Sequence, residues 1–287
     1  GSQIPDLDTV LRLKGNATFI RHHRGISHSI PALLLYTVLL TWGLSFIGEV
    51  SLLHLLFWSF LAIHVHVFTD LLNSYGVQAF RPFTSRWVSW NVLPIFDPVI
   101  FGLHVIGIGL WAIGLHPGFT FLAIYLAFLP YGGWRYYLKK RLETKLRMKL
   151  GVKGEITLLP TSSPFRWEFL IYGESRIQFG EWKGKEFVLS HSIPYPNTRH
   201  PIVQASESHK EIRNFLYFSR YPYSVWRERE FGYEVRWIDL RYLSKKNYPL
   251  LAIIYLDKNL MKIDAYVGWK QEEKISEKLG MSLAYFD

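Results

Sequence analysis

Four stretches of the chain carry almost no charge. Residues 30–48 read IPALLLYTVLLTWGLSFIG and residues 50–69 read VSLLHLLFWSFLAIHVHVFT, both without Lys, Arg, Asp or Glu. Residues 99–115 read VIFGLHVIGIGLWAIGL, and residues 118–137 read GFTFLAIYLAFLPYGGWRYY with one Arg near the end. A helix needs about 20 mostly apolar residues to cross a bilayer. Backbone groups in lipid must bond within their own segment, which favours helices. The pattern therefore predicts a bundle of about four transmembrane helices within residues 1–149. From residue 150 the period changes. GEITLLP, RWEFLIYGES, RIQFGEW, KEFVLS, YEVRWIDLRYL, LLAIIYLD and KIDAYVGW alternate like strands, with turn residues between them. ESHKEIRNFLYFSR and KQEEKISEKLG read as amphipathic helices. Residues 150–287 are thus expected to form a soluble α+β domain with a mainly antiparallel sheet.

Composition sharpens this picture. The 287 residues include no cysteine, which excludes disulfides and thiolate metal sites. An apolar share of 49% and an aromatic share of 17% exclude a disordered chain. The net charge is +10, and its placement matters more than its size. Arg12, Lys14, Arg21 and Arg24 precede the first apolar stretch. Arg81 and Arg86 lie between the second and third, and seven basic residues from Arg135 to Lys149 end or follow the fourth. The connections at Glu49 and at His116–Pro117 carry no Lys or Arg. Basic loops stay in the cytoplasm. All basic segments then fall on one side, and the C-terminal domain is expected to be cytoplasmic. The charge is juxtamembrane, so anionic lipid is its expected partner and nucleic acid is not.

Several polar residues interrupt the apolar pattern. His66 and Asp70 are four apart at the end of the second stretch and share a helix face, with Asn73 close to it. Such a pair can hold a metal ion, can act as an oriented acid/base His, or can close a helix-end hydrogen bond. His64 lies about 200° away and does not share that face. Ahead of the first stretch stands His23-Arg24-Gly25-Ile26-Ser27-His28-Ser29, in which Gly25 allows a tight turn that brings His23 and His28 together. Earlier still, Pro5-Asp6-Leu7-Asp8 offers two carboxylates. Asp6, Asp8, His23, His28, His66 and Asp70 all map to the same cytoplasmic edge. Imidazole and carboxylate together suit zinc, manganese or iron. Arg24, Arg81 and Arg86 can grip a phosphate through their forked guanidinium groups, with Asn73 beside them. Asp97, followed by Pro98, reads as a helix cap.

Pro-Asp-Leu-Asp (5–8), His-Arg-Gly-Ile-Ser-His-Ser (23–29), His66-x-x-x-Asp70, Leu-Asn-Ser-Tyr-Gly (72–76) and Arg-Pro-Phe (81–83) resemble the bacterial membrane-bound metal-dependent hydrolase family. That family has YdjM-, YbcI- and YfhP-like members. The second half looks most like the YfhP-like branch. The resemblance implies a multi-pass inner-membrane protein with a divalent metal, zinc first, held by Asp6, Asp8, His23, His28, His66 and Asp70. It implies hydrolysis of a phosphoester such as a lipid headgroup, with His66, Asp70 and His28 as the catalytic groups. The pattern is also similar to zinc-dependent phospholipase C and single-strand nucleases, which share His-x-x-x-Asp helices. Family members carry a further helix with a Thr-His pair before the Pro-Asp element, whereas this chain begins at Gly1-Ser2. Two other readings use the same residues. One is a metal-free lipid phosphatase with His66 as nucleophile. The other is a non-enzymatic membrane anchor or regulator.

Overall fold

A computed structural model of the chain describes residues 1–242 and 250–269. All four apolar stretches are helical. They form α2 (Ile30–Leu44), α3 (Leu52–Leu72), α4 (Pro98–Ala112) and the first part of α5 (Pro117–Leu150). A short helix α1 (Asn16–His22) precedes them, flanked by 3₁₀ segments at Pro5–Lys14 and Ile26–His28. Ser29 caps α2, accepting from Ala32 N at 3.4 Å. Asp97 caps α4 as expected, its Oδ1 accepting from Val99 N at 2.9 Å and Ile100 N at 3.2 Å.

The count of four spans is not carried over. Among the described residues, α3 alone is long and apolar enough to cross a membrane. Residues 16–28 with α2 pass the same test together, but they bend by 71° at the break. α4 has 15 residues, about 22 Å at the rise of an α-helix, against a hydrocarbon core of about 30 Å. Its end is marked by Gly114, in the left-handed region at φ 101°, just before Pro117 opens α5. α5 runs for 34 residues, through the basic residues from Arg135 to Lys149, and stops at Gly151 in the left-handed conformation.

The expected single sheet is two sheets, each a four-stranded antiparallel meander. The first holds β1 (Glu155–Pro160), β2 (Arg166–Tyr172), β3 (Arg176–Lys183) and β4 (Phe187–Pro194). The second holds β5 (Pro222–Arg229), β6 (Gly232–Asp239), β7 (Leu250–Asp257) and β8 (Lys262–Trp269). The helix read from residue 207 is α7 (Lys210–Phe218), preceded by a separate α6 (Pro201–Glu207). The helix expected at residues 270–280 lies outside the described residues.

The chain forms two compact units that do not follow its linear order. The first comprises Gly1–His66, Gln78–Trp87 and Tyr195 onward. Here α6 and α7 pack on the second sheet, and α1 packs on α7. β7 is buried from Leu250 to Leu256, which requires cover on both sheet faces. The second unit comprises Val67–Val77 and Val88–Pro194. There Leu142 and Leu146 of α5 enter a core with Ile156, Leu158, Trp167, Phe169 and Ile171. Residues 73–77 turn back tightly, and Val77 pairs with Val88 as an isolated bridge.

Candidate metal centre

In the first unit, three segments far apart in sequence meet at their polar residues. The 3₁₀ segment Pro5–Lys14 brings Asp6 and Asp8, the turn before α2 brings His28, and α3 brings His66. The turn works differently from the expectation. Arg24, not Gly25, takes the left-handed conformation, at φ 61°. Gly25 is needed for space, since a Cβ there would sit 2.7 Å from the His22 carbonyl. Hydrogen bonds from Gly25 N to His22 O and from His28 N to Gly25 O close the turn. His28 is left wholly buried at the start of α2.

Asp6 Oδ1 lies 3.4 Å from His28 Nε2 and 3.6 Å from His66 Nε2. These separations are longer than direct hydrogen bonds. Ligand atoms about 2.05 Å from a tetrahedral zinc stand about 3.3 Å apart, so the spacing fits one oxygen and two nitrogen ligands. The two imidazoles facing Asp6, His28 first and then His66, hold its carboxyl far below the usual carboxylate range.

Asp6 also belongs to a second group with Asp8 and His23. His23 Nδ1 is 4.0 Å from Asp6 Oδ1 but 2.7 Å from Asp8 Oδ1, the latter a direct hydrogen bond. Asp8 Oδ2 accepts from Ser27 Oγ and from Arg24 N at 3.2 Å. Burial pushes the Asp8 carboxyl up, but the bonds from His23 and Ser27 outweigh this and keep it low. An ionised Asp8 is an acceptor only, so Ser27 must give it its single hydroxyl proton. Ser27 Oγ is also 2.9 Å from His28 Nδ1. That contact then has Nδ1–H as donor, which leaves Nε2 facing Asp6 as the nitrogen that can either donate a proton to its carboxylate or, once deprotonated, ligate a cation. A carboxylate that orients a ligating His through a hydrogen bond is a recurrent support of metal sites. Ser27 was not singled out by the sequence; its place between His23 and His28 was the only available signal.

The other expected residues have defined positions. Asp70 lies in the second unit, one turn beyond His66 along α3, and its Oδ1 accepts from Asn73 Nδ2 at 3.1 Å. Asn73 Oδ1 accepts from Tyr75 N and Gly76 N, so this side chain shapes its own turn. Arg24 is half-buried next to Asp8. Arg81 donates to the Tyr217 hydroxyl of α7, and Arg86 is exposed. His64 stacks on Phe60 and pairs with its carbonyl at 2.8 Å, away from the cluster as its helix position required.

A helical N-terminal segment carrying a His/Asp cluster, followed by α/β structure, matches known proteins in both parts. Residues 1–142 match the family model described as YdjM inner membrane protein. Residues 201–279 match the model described as YfhP C-terminal alpha/beta plait domain. The chain belongs to the YdjM inner membrane protein family and carries a YfhP-like C-terminal domain. It is 38% identical to a protein described as uncharacterized protein YfhP from Bacillus subtilis (strain 168), over 97% of this chain and 86% of that one. No solved structure matches.

Proposed function

We propose that the protein is a metal-dependent membrane hydrolase acting on a phosphoester, with a lipid headgroup as the substrate class its location favours. The observation that supports this reading is the convergence of Asp6 Oδ1 with His28 Nε2 and His66 Nε2 at 3.4 and 3.6 Å. Two buried or half-buried imidazoles and a carboxylate form a donor set suited to zinc, with manganese or iron as alternatives. A divalent cation held there supplies Lewis acidity toward a phosphoryl oxygen and acidifies water.

The chain's own residues do the rest. Asp8 and Ser27 hold His28 with its Nε2 directed at Asp6. Asp8 also fixes His23, and Asp6 stays ionised under the imidazoles that face it. Arg24 is the basic side chain nearest this group along the chain and the first choice for a substrate phosphate. The role of Asp70 rests on its place one turn after His66. The N-terminal basic segments and the plait domain are assigned to the cytoplasmic side by their charge. Four bilayer-embedded helices, α2 to α5, remain the proposed arrangement, with α2 and α4 too short to cross unaided.

Elemental analysis of the purified protein tests this reading. Wild-type protein should carry close to one equivalent of zinc or a similar ion, and His28→Ala and His66→Ala should each lose most of it. Full metal content in both variants overturns the ligand assignment. A phosphatase that turns over equally well after chelation would instead point to His66 as a metal-free nucleophile.

A further inference from the structure

The 3₁₀ segment Pro5–Lys14 has a feature that the metal cluster does not use. Its ten residues read PDLDTVLRLK. In a 3₁₀ helix, residues three apart eclipse one another, so the segment has three faces. Pro5, Asp8 and Leu11 form a buried to half-buried face, and Asp6, Thr9 and Arg12 form a polar one. The third face is Leu7, Val10 and Leu13, with 67%, 61% and 87% of their surface exposed. Runs of 3₁₀ helix beyond three or four residues are uncommon, so this length needs support from what lies against its faces.

The segment's surroundings indicate which surface covers the third face. The segment packs against α1 and against the turn Ile26–His28. That turn runs directly into α2, whose Leu34, Leu35 and Val38 are exposed in the manner of lipid-facing side chains. Ile26, in the turn itself, is also exposed, at 61%. Exposed apolar side chains thus occur on α2, on the turn that leads into it and on the 3₁₀ segment packed against that turn. Arg12 and Lys14 stand exposed in its last turn, Arg12 with its guanidinium over the Phe19 ring at 4.4 Å, and basic residues beside an apolar face are attracted to anionic headgroups.

We infer that Pro5–Lys14 is an in-plane lipid anchor, seated in the inner leaflet through Leu7, Val10 and Leu13. A short helix with one apolar and one charged face lies in the headgroup–acyl boundary by this physics. Asp6 and Asp8 are thereby held at headgroup depth by the same segment that the bilayer grips. The anchor involves no cation, so it stands or falls separately from the metal reading.

The chain has no cysteine, which makes the test direct. Leu7→Cys, Val10→Cys, Leu13→Cys and, as a control on the polar face, Thr9→Cys are each spin-labelled. The full chain is reconstituted in vesicles of phosphatidylethanolamine and phosphatidylglycerol. Power saturation with oxygen and with a water-soluble nickel chelate then reads the depth of each label. Positions 7, 10 and 13 should show an oxygen-to-nickel accessibility ratio several-fold above that at position 9. Equal ratios at all four positions would place the face in water and overturn the anchor. Labels at 7, 10 and 13 shielded from both reagents would show that protein covers the face, and would overturn it equally.

Discussion

Ser27 is the residue on which the cluster's internal order turns. With Ser27→Ala, the Asp8 carboxylate loses a donor and His28 Nδ1 loses its acceptor, while the side chains of His28, His66 and Asp6 are untouched. Metal affinity should fall about 10- to 100-fold, the usual cost of losing an outer-shell partner. Ser27→Thr, which keeps the hydroxyl, should retain most of it. Competition against a chromophoric chelator measures both, and equal affinity in Ser27→Ala would remove the serine from the site. The carboxylates add a pH signature in the metal-free protein. Asp6 and Asp8 both sit below the ordinary aspartate value of about 3.9. A folded-state pKa below the unfolded one stabilises the fold above the unfolded value, and that contribution is lost as pH falls through the folded one. The metal-free protein should therefore lose thermal stability below about pH 4. Asp8→Asn should flatten that dependence, as read by melting curves across pH.

Elements carry the next layer. Tyr217 of α7 accepts from Gln78 Nε2 at 3.0 Å and from Arg81, while Arg21 lies over its ring at 4.7 Å. Burial pushes its hydroxyl up, but the Gln78 and Arg81 donors more than offset that. Trp87 Nε1 donates to the Tyr217 carbonyl, and Arg21 donates to Asn214 Oδ1 at 2.9 Å. Removing the hydroxyl with Tyr217→Phe strands two donors and should cost about 1–3 kcal/mol, seen as a lower thermal midpoint. Deeper in the plait, Asp239 is fully buried and pairs with Arg241 at 2.7 Å. Breaking such a pair from one side costs about 3–5 kcal/mol, so Asp239→Ala should be the more damaging change, whereas an unchanged midpoint would deny the pair its role. These contacts explain what the sequence could not supply. His66 and His28 stand out in the sequence as ionisable residues beside apolar runs, and the structure brings both to Asp6; Asp70 stands out for the same reason but is not in that group. The Trp87–Tyr217 contact joins residues 130 apart and leaves no local pattern. β5 was missed because PYSVWRER ends in three charged residues and reads as a loop. The 3₁₀ stripe was missed because its period is three, which neither the 3.6-residue nor the two-residue reading detects. The four apolar stretches were legible as helices, but apolar length alone did not show the caps and turns that leave α2 and α4 at 15 residues each.

At the scale of the molecule, the same contacts bear on topology. The charge pattern predicts that the segment before α2 and the loop at residues 78–87 lie on one side of the membrane. Arg21 of that segment and Arg81 of that loop both bond to α7. The contacts of Arg21 and Arg81 with α7 predict that the plait shares the side of those two residues. Seven basic residues from Arg135 to Lys149 lie in the C-terminal half of α5 and carry the same charge signal. Since Lys and Arg near span ends are retained in the cytoplasm, that common side should be the inner one. A green fluorescent protein fused after Asp287 should fluoresce in a bacterial host, and alkaline phosphatase at the same point should stay inactive. Active phosphatase with a dark fluorescent fusion would reverse the orientation and move Asp6, His28 and His66 to the outer face, where a cytoplasmic headgroup substrate would be out of reach.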